Sequence, residues 1–313
     1  MQDSEKALPL HIQNFLDWLD VEKGLSSKSQ ENYFRFIKRF TDWLAREKLQ
    51  NLKPHELTPE HIWSYRLYLS RGDSLKKSTQ NYYLIALRSL LTYFADRDIL
   101  SLPSDKVKLA RDKSDKEVRF LTLEQLKKLF ATPNTRTPQG LRDKAILEAF
   151  FSTGMRISEL TSLNREQMQI LIKPGTDELE LSITGKGKRI RTVYFSKRSL
   201  KSLREYLASR NDDEKALFIN YRRKQGSPTR LSPRAIERSL KQYVVRAGLP
   251  INTTPHVMRH SFATDLLSQG VDIRVLQEFL GHRNISATQI YAHVTSKKLR
   301  EIHKKYHGLV QES

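Results

Sequence analysis

The sequence predicts a mainly α-helical protein of two domains with one small β-sheet. Three observations lead there. Apolar residues recur at helical spacing through most of the 313 residues. That period gives way to strict alternation only around residues 179–195. Residues 103–117 are poor in apolar side chains, mixed in charge and without periodicity, which is the composition of a linker. The expected division is therefore a helical domain at 1–102, a linker at 103–117 and a mixed α/β domain at 118–313, each domain long enough to bury a core.

The first hundred residues read as four helices. Ile12, Phe15, Leu16 and Leu19 fall at i, i+3, i+4 and i+7, and Gly24 ends that helix. Ser27 is expected to cap the second, with Tyr33, Phe36, Ile37, Phe40, Trp43 and Leu44 as its apolar stripe. Thr58-Pro59 opens a third, cap followed by proline, with Ile62, Tyr65 and Leu69 inward. Ser78 is expected to open the fourth, with Tyr83, Leu87, Leu90, Leu91 and Phe94 inward. Aromatic residues at this spacing belong to a core rather than to platforms for stacking bases.

Beyond the linker, Thr122-Leu123-Glu124-Gln125 is a capping box, opening a helix with Leu126, Leu129 and Phe130 inward. Another helix is expected from about Leu141, carrying Ile146, Ala149 and Phe150 and stopping at Gly154. Leu179, Leu181 and Ile183 alternate with polar residues, and 190–195 is rich in β-branched and aromatic side chains. With Gly185-Lys186-Gly187-Lys188 between them, the two runs predict a β-hairpin. Helices are then expected at 199–208, 232–247, 255–270, 272–280 and 286–291, with a final amphipathic stretch at 297–306. No internal repeat or low-complexity segment is evident.

The formal charge is +20, and it is uneven: residues 1–102 hold 15 Lys and Arg against 13 Asp and Glu, the remainder 40 against 22. Such an excess points to a polyanionic partner, ordinarily nucleic acid; the alternative is a basic surface that is only solvated. Lys28, Arg35, Lys38, Lys76, Lys77 and Arg88 are candidates for phosphate contacts in the first domain, although isolated helix-surface charges are more often solvated. The absence of cysteine excludes disulfides and thiolate metal sites and suits a reducing cytoplasm. The N-terminus is polar and acidic rather than basic then apolar, and no apolar run approaches the ~20 residues of a membrane helix. A cytoplasmic protein with no membrane partner is expected.

Several residues have a chemical reading beside a structural one. Thr254-Pro255 places His256 and Arg259 in the first turns of a helix, three apart on one face, where backbone N–H groups and the dipole favour a phosphate. Alone, this is equally a solvated pair. Asp272 caps a short helix ending at Gly281, and a histidine just beyond, His282, is often structural. Arg156 follows a helix-stopping glycine that lets the backbone turn and present the guanidinium; Glu159 is expected as its ion-pair partner rather than as a base. Lys186 at a hairpin tip is a solvated basic turn or an acid reaching into a groove, since neighbouring arginines would lower its pKa. Tyr291 is one of twelve tyrosines. His256 and His260 stand at i, i+4, but Val257 breaks the His-Glu-x-x-His zinc pattern, and no Gly-x-x-x-x-Gly-Lys-Ser/Thr loop is present. No metal and no cofactor are expected.

Taken in order, Arg156, Lys186, His256-x-x-Arg259, Gly281-His282 and Tyr291 resemble the signature of the tyrosine recombinase, or phage-integrase-like, family. The frames Thr153-Gly154-Met155-Arg156-Ile157-Ser158-Glu159-Leu160, Leu280-Gly281-His282 and Tyr291-Ala292-His293-Val294 carry the likeness, with nine residues from His282 to Tyr291. The resemblance spans both domains and looks most like the compact Xer branch. It implies a SAM-like four-helix core-binding domain, a catalytic domain with a C-terminal protomer-exchange helix, and a C-shaped clamp on double-stranded DNA.

The implied chemistry is attack by Tyr291 on a backbone phosphate, giving a 3′-phosphotyrosyl bond and a free 5′-hydroxyl. Arg156 and Arg259 would hold the non-bridging oxygens, Lys186 would protonate the leaving 5′-oxygen, His256 would assist the nucleophile and His282 would hydrogen-bond the phosphate. By resemblance, four protomers, alike or of two kinds, act on two recombination sites, with a second recombinase and a septal DNA translocase as candidate partners. Resolution of chromosome dimers is the expected role. The alternatives are a mobile-element integrase, a type IB topoisomerase, or a site-specific DNA-binding protein with an inert tyrosine. The 297–306 stretch would dock on a neighbouring protomer or pack on its own domain.

Overall fold

The computed structural model describes residues 2–72, 74–110, 119–172, 175–185, 190–221, 229–281 and 288. The chain divides into two compact units, Met1–Asp115 and Lys116–Ser313.

The first unit contains α1 (Ile12–Val21), α2 (Ser27–Arg46), α3 (Pro59–Leu67) and α4 (Lys77–Asp96). The predicted stripes are its core: Phe15, Leu19, Ile37, Phe40, Trp43, Leu44, Ile62, Tyr65, Leu69, Leu87, Leu90, Leu91 and Phe94 are all buried, with Tyr33, Phe36 and Tyr83 packed against them. Two helix starts differ from expectation. Ser26, not Ser27, is the N-cap of α2, and Lys76 precedes the first turn of α4, so Ser78 lies inside it. Neither cap residue makes a side-chain capping hydrogen bond; the Ser26 hydroxyl pairs instead with the Ser29 hydroxyl at 3.0 Å. Thr58 does cap α3, accepting from the His61 N–H.

The segment read as linker is fastened to this unit over its first part. Val107 is buried, Leu109 packs against the core, and the Asn81 amide pairs with both the N–H and the C=O of Ala110 at 2.9 Å. Two apolar residues and one distant asparagine are too sparse a pattern to register as periodicity.

The second unit contains α5 (Leu123–Ala131), α6 (Pro138–Thr153), α7 (Ile157–Ser162), β1 (Leu179–Thr184), β2 (Ile190–Phe195), α8 (Lys197–Ala208), α9 (Pro233–Arg246), α10 (Pro255–Ser268) and α11 (Ile273–Leu280). α6 begins earlier than the expected Leu141, because Thr137 caps it by accepting from the Gly140 N–H and Pro138 occupies its first turn. It is central, buried on most faces, and packs against α5, α8, α10 and β2. Its buried Asp143 is satisfied by Arg142 and by the Tyr243 hydroxyl at 2.8 Å. β1 and β2 pair antiparallel, from Leu179 opposite Phe195 to Thr184 opposite Ile190. α7 and a 3-10 segment at Arg165–Ile172 were not foreseen from the pattern. The expected helices at 286–291 and 297–306 lie outside the described residues. Among the described residues no helix is long and apolar enough to cross a membrane.

Candidate active site

Gly154 ends α6 in the left-handed conformation at φ +59°. A side chain is excluded there twice over: that backbone region disfavours a Cβ, and a Cβ would stand 2.4 Å from the Phe262 ring. The turn buries Met155 and delivers Arg156 to the N-cap position of α7, its side chain 29 % exposed.

Glu159 lies one turn on and is buried. It accepts the Arg156 backbone N–H at 2.7 Å and Arg156 Nη1 at 3.0 Å, the pairing expected from the spacing. It also accepts Arg191 from β2 in a two-pronged pair, Nη1 to Oε1 at 2.9 Å and Nη2 to Oε2 at 2.7 Å. Burial alone would raise its carboxyl pKa; the hydrogen bonds and charge of Arg191, with the Arg156 N–H and guanidinium, outweigh it and hold the value at about 2. A carboxylate so stabilised is a poor proton acceptor near neutral pH, which fits a partner better than a base.

α10 opens as the sequence predicts, with Thr254 accepting from the Val257 N–H and Pro255 in the first turn. His256 is exposed in that turn. Arg259 is buried, donating from Nη1 to the Gly154 carbonyl at 2.6 Å and from Nη2 to the Leu280 carbonyl. The neighbouring His260 is pushed down to about 4, chiefly by burial and in smaller part by the nearby His256 and Arg259.

α11 begins at its Asp272 cap, which accepts from the Arg274 N–H at 2.7 Å, and ends at Gly281 with φ +59°. The last carbonyls of a helix have no partner within it. Here arginines take two in succession: Arg191 Nε donates to Phe279 O at 3.1 Å, and Arg259 to Leu280 O. Cations at a helix C-terminus are also favoured by the dipole.

Of the six predicted catalytic residues, Arg156, His256 and Arg259 are described, while Lys186, His282 and Tyr291 lie outside the described residues. The structure joins the Gly154–Arg156 turn, Arg259 and the end of α11 immediately before His282. Sequence reasoning missed Arg191. Its signal was the strand alternation: Arg191, Val193 and Phe195 share a face, and the last two are buried. An arginine on the inward register of a half-buried strand needs a partner.

The candidate phosphate contacts sit on α2 and at the start and middle of α4. Lys28 pairs with Glu31 and Lys38 with Asp42 on their own helix, both exposed. Arg35 bonds Asn32 at 3.3 Å and lies over Phe36. Lys76 and Lys77 are exposed and Arg88 is half-buried. Exposed pairs of this kind are weak in water.

Residues 119–298 match the phage integrase family, and residues 11–100 match the phage integrase N-terminal SAM-like domain. The tyrosine recombinase XerC of Natranaerobius thermophilus is 34% identical over 304 residues, covering 94% of this chain and 97% of that protein. XerD of Corynebacterium glutamicum is 36% identical over 312 residues, covering 94% and 96%. The crystal structure of the XerH site-specific recombinase bound to difH substrate, a pre-cleavage complex, superposes with a TM-score of 0.73 at 19% identity, covering 96% of this chain and 97% of that one. At that identity the likeness speaks for the fold.

Proposed function

Because this chain belongs to the phage integrase family of tyrosine recombinases, enzymes that cleave and rejoin DNA, we propose that it does so as a site-specific recombinase of the Xer kind, with Tyr291 as nucleophile. The Tyr291 oxygen attacks a backbone phosphorus, the bond from phosphorus to the 5′-oxygen breaks, and a 3′-phosphotyrosyl ester remains. Arg156 and Arg259 stabilise the charge on the non-bridging oxygens of the pentacoordinate transition state. Lys186 gives a proton to the departing 5′-oxygen, His256 assists proton transfer at the tyrosine, and His282 hydrogen-bonds the phosphate. The ester conserves the bond energy, so a 5′-hydroxyl from a partner duplex reverses the step with no cofactor consumed.

One observation supports this reading above the rest: Arg259 is buried and hydrogen-bonded to Gly154, two residues before Arg156. Two arginines from distant parts of the chain are thereby placed at one turn. The similarity to XerC and XerD over nearly the whole chain supports a role in resolving chromosome dimers in the cytoplasm. It also supports action as a tetramer of one or two recombinases on paired sites, prompted by a septal DNA translocase. Lys28, Arg35, Lys38, Lys76, Lys77 and Arg88 are the proposed phosphate contacts of the first unit.

A nicked suicide duplex carrying the recombination site tests this. Incubation without metal, followed by a denaturing gel, should give a covalent band with the wild type and none with Tyr291→Phe. Tight binding without adduct would instead make the chain an inert site-specific binder. Exchange between two marked duplexes separates a recombinase from a type IB topoisomerase, and a chromosomal rather than an element-borne site separates a resolvase from a mobile-element integrase.

A further inference from the structure

We propose that Arg191 is a positioning residue for strand cleavage, orienting Arg156 through Glu159 while holding the end of α11 that leads to His282. This rests on the cleavage mechanism above. Arg191 is 9 % exposed on β2, and its guanidinium has three engagements at once. Both terminal nitrogens bind the two Glu159 oxygens, and Nε binds the Phe279 carbonyl. Glu159 Oε1, so held, receives Arg156 Nη1, while Oε2 receives the Arg156 backbone N–H. The direction of the Arg156 guanidinium is therefore set by a carboxylate that Arg191 itself fixes.

The Arg191 stem also defines the exit from α11. A Cβ on Gly281 would lie 2.8 Å from Arg191 Cδ, so the side chain packs directly on the residue before His282. One side chain thus ties Arg156, through Glu159, to the end of α11. Lysine cannot replace it: a single ammonium on a flexible stem lacks the planar set of donors that reaches two carboxylate oxygens and a carbonyl together. A residue that only stabilised the fold would lower the amount of folded enzyme without altering which phosphate oxygens matter.

That difference is the test. Arg191→Lys and Glu159→Gln are compared with wild type in single-turnover cleavage of two nicked duplexes at saturating protein. One has an ordinary scissile phosphate; the other has a methyl group in place of one non-bridging oxygen, which removes the charge the arginine stabilises. DNA binding by the full chain and thermal unfolding are measured alongside, so that loss of fold is separated from loss of cleavage, and Arg191→Lys keeps the positive charge beside Glu159.

The expected result is a cleavage rate about 10- to 100-fold lower on the ordinary phosphate, with DNA affinity within about twofold of wild type, and a deficit at least several-fold smaller on the methylphosphonate. The double variant should be no slower than the worse single one, since both act on one element. An equal deficit on both substrates, or none on either, overturns the assignment of Arg191. No adduct from the wild type overturns the cleavage mechanism itself and this proposal with it.

Discussion

Arg259 donates to the carbonyl oxygen of Gly154 at 2.6 Å, across 105 positions of sequence. The carbonyl belongs to the glycine that ends α6, and the arginine to the second turn of α10. The bond needs α10 to lie along α6, which it does. It also needs the left-handed turn at Gly154, which aims that carbonyl away from its own helix. Through this contact Arg259 is located by the turn that presents Arg156.

Gly154→Ala should therefore damage both fold and site. The left-handed backbone costs an alanine about 1–2 kcal/mol, and the clash with Phe262 adds to it, for a loss of about 2–4 kcal/mol in all. Denaturant unfolding of the variant measures this. Adding Phe262→Leu should recover part of the loss; no recovery would mean the ring is not what the methyl meets.

Arg259→Lys should lower cleavage by about 10²-fold or more. One ammonium cannot serve both Gly154 and Leu280 with the same planar geometry. The test is the suicide-substrate rate at saturating protein, and a rate near wild type would remove Arg259 from the transition state.

Glu159 gives a pH signature. Its folded pKa, about 2, lies below the ordinary carboxylate value of 4.5, so its contribution to stability is present above about pH 4.5 and is lost as pH falls toward 2. Glu159→Gln should be less stable than wild type by about 2–4 kcal/mol at pH 7. The gap should narrow steadily below pH 4.5 in urea titrations. A gap independent of pH would mean that packing, not charge, accounts for it.

His260 has the same sign by a different route. Burial holds its folded pKa at about 4, below the ordinary 6.5, so the unfolded chain takes up a proton first and stability falls as pH drops from about 6.5 toward 4. Its imidazole resonances should titrate with a midpoint near 4, and His260→Gln should flatten that part of the stability curve. A midpoint near 6.5 would contradict the burial argument.

Asn81→Ala should loosen the chain at Ala110, whose N–H and C=O both depend on the Asn81 amide. Amide exchange at Ala110 should quicken and protease cleavage near it should increase, with a stability loss of about 1–2 kcal/mol. Unchanged exchange would show that Val107 and Leu109 hold the segment unaided.

Much of this was legible beforehand because it is local. The N-caps at Thr58, Thr122 and Thr254 depend on a side chain and an N–H three residues away. The buried stripes of α1 to α4 follow from helical spacing, and the hairpin strands from alternation. The starts of α2, α4 and α6 differ from expectation because a serine near a helix start need not make the cap bond, and because Thr137 and Pro138, ahead of Leu141, open α6.

What the amino-acid order determined by itself was the helical character, the hairpin, the basic second part of the chain and the ordered set that includes Arg156, His256 and Arg259. Only the tertiary structure decided that Arg259 anchors to Gly154 and Leu280, and that Arg191 joins Glu159 to Phe279. The reason is physical: spacing along a chain controls which side chains share a face, whereas a hydrogen bond between residues 32, 88 or 105 positions apart exists only once helices and strand have packed to within 3 Å or so of the right place.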